Sequence, residues 1–246
     1  MSISINYNED NLITMKRFPD GFIDLAIVDP QTGQNEGKKH VGRVRQIEQR
    51  NGSFMTVANK HTVKEWDNEQ PTQEYYDELF RISKHQIIMC EPRLHFTQKD
   101  SSAGRIVWNL LRKNDFSACQ IMWTSLFNKV DYFEYMWNGM IQGVDINVRK
   151  GIGNKKLNEP RIHPSQKPCK VYRHLLTKYA KPGFKIYDSH SGSGNLRRVC
   201  FEIGFDFYGS EIDADYHKQD EELSQLLIAS LTLNTTPAQT GELISL

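Results

Sequence analysis

The chain has 246 residues, with 31 Lys and Arg against 30 Asp and Glu, a formal net charge of +1. Hydrophobic residues make up 38% and charged residues 25%, ordinary values for a globular protein, and no apolar run nears the roughly 20 residues needed to cross a bilayer, which argues against membrane residence. A nearly balanced charge neither requires nor excludes a nucleic-acid partner, so local clusters carry more information than the sum.

The first ten residues, MSISINYNED, lack the basic and apolar regions of a secretory leader, which predicts a cytoplasmic chain in a reducing compartment. Cys90, Cys119, Cys169 and Cys200 form no C-x-x-C pair and are expected to be buried free thiols rather than zinc ligands or disulfides. Residues 3–7 alternate like a strand. Residues 8–19 then read as a short helix with Leu12, Met15 and Phe18 on one face, ended by Pro19. "FIDLAIVDP" (22–30) is a nearly continuous apolar run, as in a strand buried on both faces, and it stops at Asp29 and Pro30.

The polar stretch at about 33–70 is too long for an ordinary connection and is expected to be an insertion. Within it, "KKHVGRVRQIEQR" (38–50) concentrates Lys38, Lys39, Arg43, Arg45 and Arg50 around one Glu, without convincing apolar periodicity. Such a run is either a solvated loop or a segment that contacts phosphates. Tyr75, Leu79 and Ile82 are at helical spacing over residues 71–84, and residues 85–91 follow as a strand. Strands at 105–109, 119–125 and 132–138 lie too close together for intervening helices, which predicts an antiparallel portion of the sheet. Residues 139–160 are again Gly-rich and polar, with Arg149 and Lys150 in a basic cluster, and predict a second surface insertion.

The last third is the most regular, with strand, helix, strand and helix joined by short turns. The implied fold class is α/β: a Rossmann-like sheet, mostly parallel with an antiparallel portion, and helices on both faces. The expected organisation is one domain over residues 1–246, with the tail from about 234 frayed. At the end of the strand "FKIYD", Asp188 opens into "SHSGSGN", where Gly192 and Gly194 would let backbone N–H groups approach a ligand at a helix N-terminus. The next strand ends at Glu211, placed to accept hydrogen bonds from a ribose diol. The alternative is that the glycines only permit close helix-strand packing. Asn195 and Leu196 stand where a triphosphate-binding loop would need Lys, and Arg197 occupies the third glycine position of a dinucleotide fingerprint, so both of those sites are disfavoured.

"RIHPSQKP" (161–168), the loop "DSHSGSGN" (188–195), "EID" (211–213), "DP" after "DLAIV", "EWDNEQ" and "WNGM" together resemble the permuted (beta-type) DNA amino-methyltransferases, over most of residues 3–222. The resemblance implies S-adenosyl-L-methionine bound by His163, Pro164, Ser165, Gln166, Lys167, Pro168, Asp188, Ser189, His190, Gly192, Ser193, Gly194 and Glu211. It also implies double-stranded DNA as partner, contacted by Lys38, Lys39, Arg43, Arg45, Arg50, Arg149 and Lys150, with a homodimer or a partner methyltransferase subunit as an option. Bacterial or phage origin is expected.

The family's catalytic signature, Asp/Asn/Ser-Pro-Pro followed by an aromatic residue, maps onto Asp29, Pro30, Gln31 and Thr32. There the acidic oxygen and a backbone carbonyl would accept hydrogen bonds from the target amino group, and the aromatic ring would stack on a flipped base. Thr32 cannot stack, a contact worth about 1–3 kcal/mol per base, and Gln31 replaces a rigidifying proline. Glu91, Pro92 and Arg93 stand where relatives often carry a glycine-rich aromatic loop, and Asn109 where relatives carry an acid. The sequence therefore implies methyl transfer to an exocyclic amino group, adenine before cytosine. The alternatives are a catalytically impaired cofactor- or DNA-binding subunit, or a small-molecule or RNA methyltransferase on the same sheet.

Overall fold

The computed structural model describes residues 2–34, 44–48, 53–58, 67–112, 117–138, 141–143, 159, 162–163 and 165–234. Its centre is an eight-stranded sheet. In chain order the strands are β1 (Ser4–Tyr7), β2 (Ile23–Val28), β5 (Ser83–Ile88), β6 (Arg105–Asn109), β7 (Cys119–Thr124), β8 (Val130–Glu134), β11 (Lys185–Asp188) and β12 (Asp206–Ser210). Their spatial order is β1-β12-β11-β2-β5-β7-β6-β8. Neighbours from β1 to β5 run parallel, β7 is antiparallel to both β5 and β6, and β8 returns parallel to β6. The predicted antiparallel portion is therefore a single reversed strand inserted between two that share the common direction. The predicted strand at 132–138 divides at Tyr135, because Met136–Asn138 (β9) leaves the sheet to pair with Ile141–Gly143 (β10).

The helices follow from local chemistry. Asp10 caps α1 (Asn11–Lys16) by accepting from the Leu12 amide at 2.8 Å, and Thr72 caps α2 (Gln73–Ile82). Helix α3 (Cys169–Tyr179) stops before the Lys181-Pro182-Gly183 turn. Helix α4 (Asn195–Ile203) lies between Gly194 at φ 70° and Gly204 at φ 85°, both left-handed conformations that an L side chain would strain. The long α5 (Ala214–Asn234) closes the described chain.

The continuous apolar run of β2 is explained by cover on both faces. Leu25 and Ile27 pack with Val171, Leu175, Leu196 and Val199 of α3 and α4, whereas Ala26 and Val28 pack with Met15 of α1 and Tyr76 and Leu79 of α2. The polar stretch at about 33–70 contains a hairpin of β3 (Val44–Glu48) and β4 (Phe54–Ala58), antiparallel from Val44↔Ala58 to Glu48↔Phe54. A plain solvated loop is thus corrected in part: the strand periodicity in "VRQIE" is short and masked by its charges. All four cysteines are free, but only Cys200 is buried, and Cys90, Cys119 and Cys169 are half-buried. No helix among the described residues is long and apolar enough to cross a membrane.

Candidate active site

Chain order reverses between β11 and β2. From β11 the chain runs outward to β12, and from β2 outward to β5, so the loops after Asp188 and Val28 diverge and leave a crevice at the carboxyl edge. A cavity of about 780 Å³ occupies this position. Its size falls in the range of small-molecule sites, roughly 300–1,000 Å³. Among the described residues, no group of three or more His, Cys, Asp or Glu side chains could hold a metal ion.

One half of the cavity is formed by the loop after β11. Ser189, His190, Ser191, Gly192 and Ser193 line it, as does Glu211 beyond β12. Glu211 is 8% exposed and accepts from the Gly192 amide at 2.7 Å and the Asp213 amide at 2.9 Å. Burial raises its pKa. Asp188 and Gly194 stand behind this wall rather than in it. The Asp188 carboxyl accepts from the His190 amide at 3.1 Å, and burial, reinforced by the Asp29 and Glu211 charges, pushes its pKa up to about 8. His190 bridges the Asn11 amide at 3.1 Å and the Ser189 hydroxyl at 2.8 Å, and Ser189 meets the Tyr75 hydroxyl at 2.7 Å. Burial lowers the His190 pKa to about 4, so the ring is neutral in this chain of contacts near neutral pH.

Gly194 permits a backbone approach that no other residue could make, because a Cβ there would lie 1.6 Å from Asp220 Oδ1. Asp220 is fully buried and ion-paired with Arg197 at 2.9 Å and Arg198 at 3.3 Å. Arg197, at the third glycine position of a dinucleotide fingerprint, thereby has a structural role, tying α4 to α5 through Asp220 and Glu221.

The His163–Pro168 segment forms the rim beside that loop, with Pro164 outside the described residues. His163, Ser165, Gln166 and Lys167 line the cavity, whereas Pro168 is the N-cap residue of α3 and has no capping side chain. Glu159 supplies the missing acceptor: its Oε2 takes the Cys169 amide at 2.9 Å, and its Oε1 takes the Gln166 amide at 3.1 Å and also the Asn195 side chain. Glu159 lay unremarked in "NEP", and only a long-range fold could bring it to the start of α3.

The other half of the cavity belongs to the loop after β2. Asp29, Pro30, Gln31 and Thr32 all line it. Lys167 is 6% exposed and forms an ion pair with Asp29 Oδ2, and Cys90 Sγ lies 3.5 Å from Asp29 Oδ1. Burial opposes the charge on Lys167, but the adjacent Asp29 carboxylate more than offsets it, so its pKa is raised. The Cys90 thiol, pushed up to about 11 by burial, stays protonated; its φ of 58° places a non-glycine residue in the left-handed region beside the site. Asp67, from "EWDNEQ", is 2% exposed and accepts from the Thr32 amide at 2.8 Å and the Gly33 amide at 2.9 Å. Gln70 and Arg93 complete the clasp, through Gln70 to the Arg93 carbonyl at 2.8 Å and Arg93 to Gln34 at 2.9 Å.

Pro92 and Arg93 therefore belong to the cavity wall, but Asn109 does not line the cavity. It donates to Tyr132 at 2.7 Å and Glu134 at 3.1 Å, and that corrects its place among the changes around the pocket. Trp137 of "WNGM" and Tyr172 also line the cavity. Of the basic residues read from the sequence, Arg45 lies on β3, and Lys38, Lys39, Arg43, Arg50, Arg149 and Lys150 fall outside the described residues.

A sequence profile described as DNA methylase, of the N6/N4 methyltransferase kind, matches residues 3–222. No curated protein matches the chain. Among solved structures, TTHA0409 from Thermus thermophilus, described as a DNA modification methylase, superposes with a TM-score of 0.51 at 11% identity, covering 92% of this chain and 96% of that one. M1.HpyAVI in complex with SAM gives a TM-score of 0.49 at 12% identity, covering 91% and 100%. The cytosine-N4-specific PvuII DNA methyltransferase gives 0.49 at 15%, covering 96% and 95%.

Proposed function

This chain belongs to the N6/N4 DNA methylase family, and on that footing we propose that it transfers a methyl group from S-adenosylmethionine to an exocyclic amino group of double-stranded DNA, adenine before cytosine. The observation that carries the proposal is the junction of two features in one cavity: the Asp29 carboxylate after β2, and the Gly192 loop with Glu211 after β11 and β12. The donor set fits the cofactor. Each Glu211 oxygen takes one backbone N–H, which leaves lone pairs for a ribose diol, and Gly192, at φ 49°, brings no side chain into the loop.

S-adenosylmethionine supplies an electrophilic methyl group when bound. Asp29 would accept a hydrogen bond from the amino group and so raise electron density on its nitrogen, while Lys167 fixes the carboxylate by holding its other oxygen. The Pro30 carbonyl is the second acceptor expected from the family signature. No covalent enzyme intermediate is needed, in keeping with a protonated Cys90. The basic residues of the two insertions position the phosphate backbone without reading sequence.

Purified protein should transfer labelled methyl groups to unmethylated genomic DNA and yield N6-methyladenine. Asp29→Ala should reduce the rate by about 10²–10³-fold while leaving calorimetric S-adenosylmethionine binding in place. Absence of binding at millimolar cofactor would remove the cofactor assignment. A second reading, a non-catalytic DNA- or cofactor-binding subunit, is favoured by Gln31 and Thr32 in place of proline and an aromatic ring. It prevails if the wild type is inert and the Gln31→Pro, Thr32→Tyr double variant transfers methyl groups.

A further inference from the structure

Among the described residues, two that are not glycine have a left-handed backbone, Cys90 at φ 58° and Leu111 at φ 52°. They lie just past the ends of β5 and β6, which run in the same direction, both being antiparallel to β7. Strain of this kind persists only where the surrounding structure enforces it, and it concentrates at functional sites. Each strained turn leads to an arginine that lines the cavity, Arg93 after Cys90 and Arg112 after Leu111. The Leu111 turn is braced by Asn109 Oδ1, which accepts from the Leu111 amide at 2.9 Å, and Arg112 donates to the Trp137 carbonyl at 2.7 Å. Arg93 is exposed and donates to Gln34 Oε1 at 2.9 Å.

Strand register sets the two arginines at different depths. Val28, next to Asp29, is level with Ile88 at the end of β5, Ile88 is level with Trp123, and Trp123 is level with Arg105 at the start of β6. From there β6 runs on to Asn109, about 13 Å further out at roughly 3.3 Å per residue, with Arg112 beyond it. Paired β6 and β7 thus make a wall that rises past Asp29. Charge also divides along the cavity: Glu9, Asp10 and Glu211 line the end beside β1 and β12, and Arg93 and Arg112 line the end beside β5 and β6. The acidic end suits a cationic sulfonium cofactor, and the basic end suits an anion.

We propose that Arg93 and Arg112 hold the backbone phosphate of the nucleotide whose base lies beside Asp29. This rests on the methyltransferase reading above. A base lowered to the level of Asp29 leaves its sugar and phosphate towards the outer end of the β6–β7 wall. A guanidinium meets phosphate oxygens through paired, charge-assisted hydrogen bonds. The contact anchors the nucleotide without reading its base, and it adds a hold on a flipped nucleotide that Thr32 cannot stack against.

The test compares full-length wild type, Arg93→Gln, Arg112→Gln and Arg112→Lys. Binding of a fluorescently labelled single strand of mixed sequence, whose nucleotides enter without flipping, is measured by anisotropy over a range of salt with S-adenosylhomocysteine present. Each Gln variant should flatten the slope of log affinity against log salt by about 0.7, the loss of one phosphate contact on a single strand. Arg112→Lys, which keeps the charge and loses the fork, should retain the slope. On unmethylated genomic DNA each Gln variant should lower kcat/KM by about tenfold, with calorimetric S-adenosylmethionine affinity unchanged. Wild-type salt slopes in both Gln variants would overturn the assignment, and so would a parallel loss of cofactor affinity, which would give the guanidiniums to the cofactor carboxylate. A wild type that transfers no methyl group, with flattened slopes in the Gln variants, would bring down the methyltransferase reading and leave the phosphate contact standing.

Discussion

The two halves of the cavity are built to different standards of hydrogen-bond satisfaction. On the β11 side Glu211, Asp188, His190 and Ser189 each have a partner within the protein, and Gly194 is seated on a fully buried Asp220. On the β2 side the backbone is clasped by Asp67, and Gln31 keeps a buried side-chain oxygen without a partner. The contrast teaches that one loop is fixed largely by groups of its own strand ends, and the other by a carboxylate brought from a distant segment.

The largest effect is expected on the fixed side. Gly194→Ala sets a Cβ 1.6 Å from Asp220 Oδ1 and strains φ at 70°, and Asp220 cannot yield without breaking its pairs with Arg197 and Arg198. Loss of about 4–5 kcal/mol or more is expected in denaturant melts, and a variant as stable as wild type would refute the rigid seating of this loop. Next comes the clasp. Asp67→Ala removes two charge-assisted bonds to the Thr32 and Gly33 amides and should cost about 3 kcal/mol, with methyl transfer reduced more than cofactor affinity. Equal loss of both would erase the division between halves.

The smallest effect is a pH dependence. The folded chain keeps a proton on Asp188 up to about pH 8, whereas the unfolded chain releases it near 3.8, so this group favours the fold at low pH and its contribution is lost as pH rises through about 8. His190 acts in the opposite sense, its contribution being lost as pH falls from 6.5 towards about 4. Between these ranges, from pH 6.5 to about 8, Asp188 acts alone of the two, and Tm should fall by roughly 4–8 °C, equivalent to about 2 kcal/mol. Asp188→Asn should flatten that slope, and an unchanged slope would locate the titration elsewhere.

Much of this molecule was legible before folding was considered. The apolar run ending at Asp29, the helical spacing of Tyr75, Leu79 and Ile82, and the glycines flanking α4 are local signals, since strand burial, helix periodicity and left-handed turns leave their marks within a few residues. Cofactor-side candidates were legible for the same reason, as a compact motif on one loop. Asn109 was misplaced, because which side of a strand faces a cavity depends on register with β7 and β8 rather than on its own neighbours. The charged hairpin of β3 and β4 was missed because its two strands are five residues each and one is dominated by polar side chains.

The sequence by itself determined the parallel α/β core, the glycine loop after Asp188, the acid at Glu211 and the departure from the family signature at Gln31 and Thr32. Only the tertiary structure decided that β7 enters the sheet reversed, that Lys167 reaches Asp29 across 138 residues, and that Glu159 caps α3. It also decided that Gln31 and Gln120, distant in sequence, line one cavity. The physical reason is range. Propensity and turn chemistry act between near neighbours, whereas ion pairing, capping from a distance and the satisfaction of buried polar groups depend on which distant segments packing brings together.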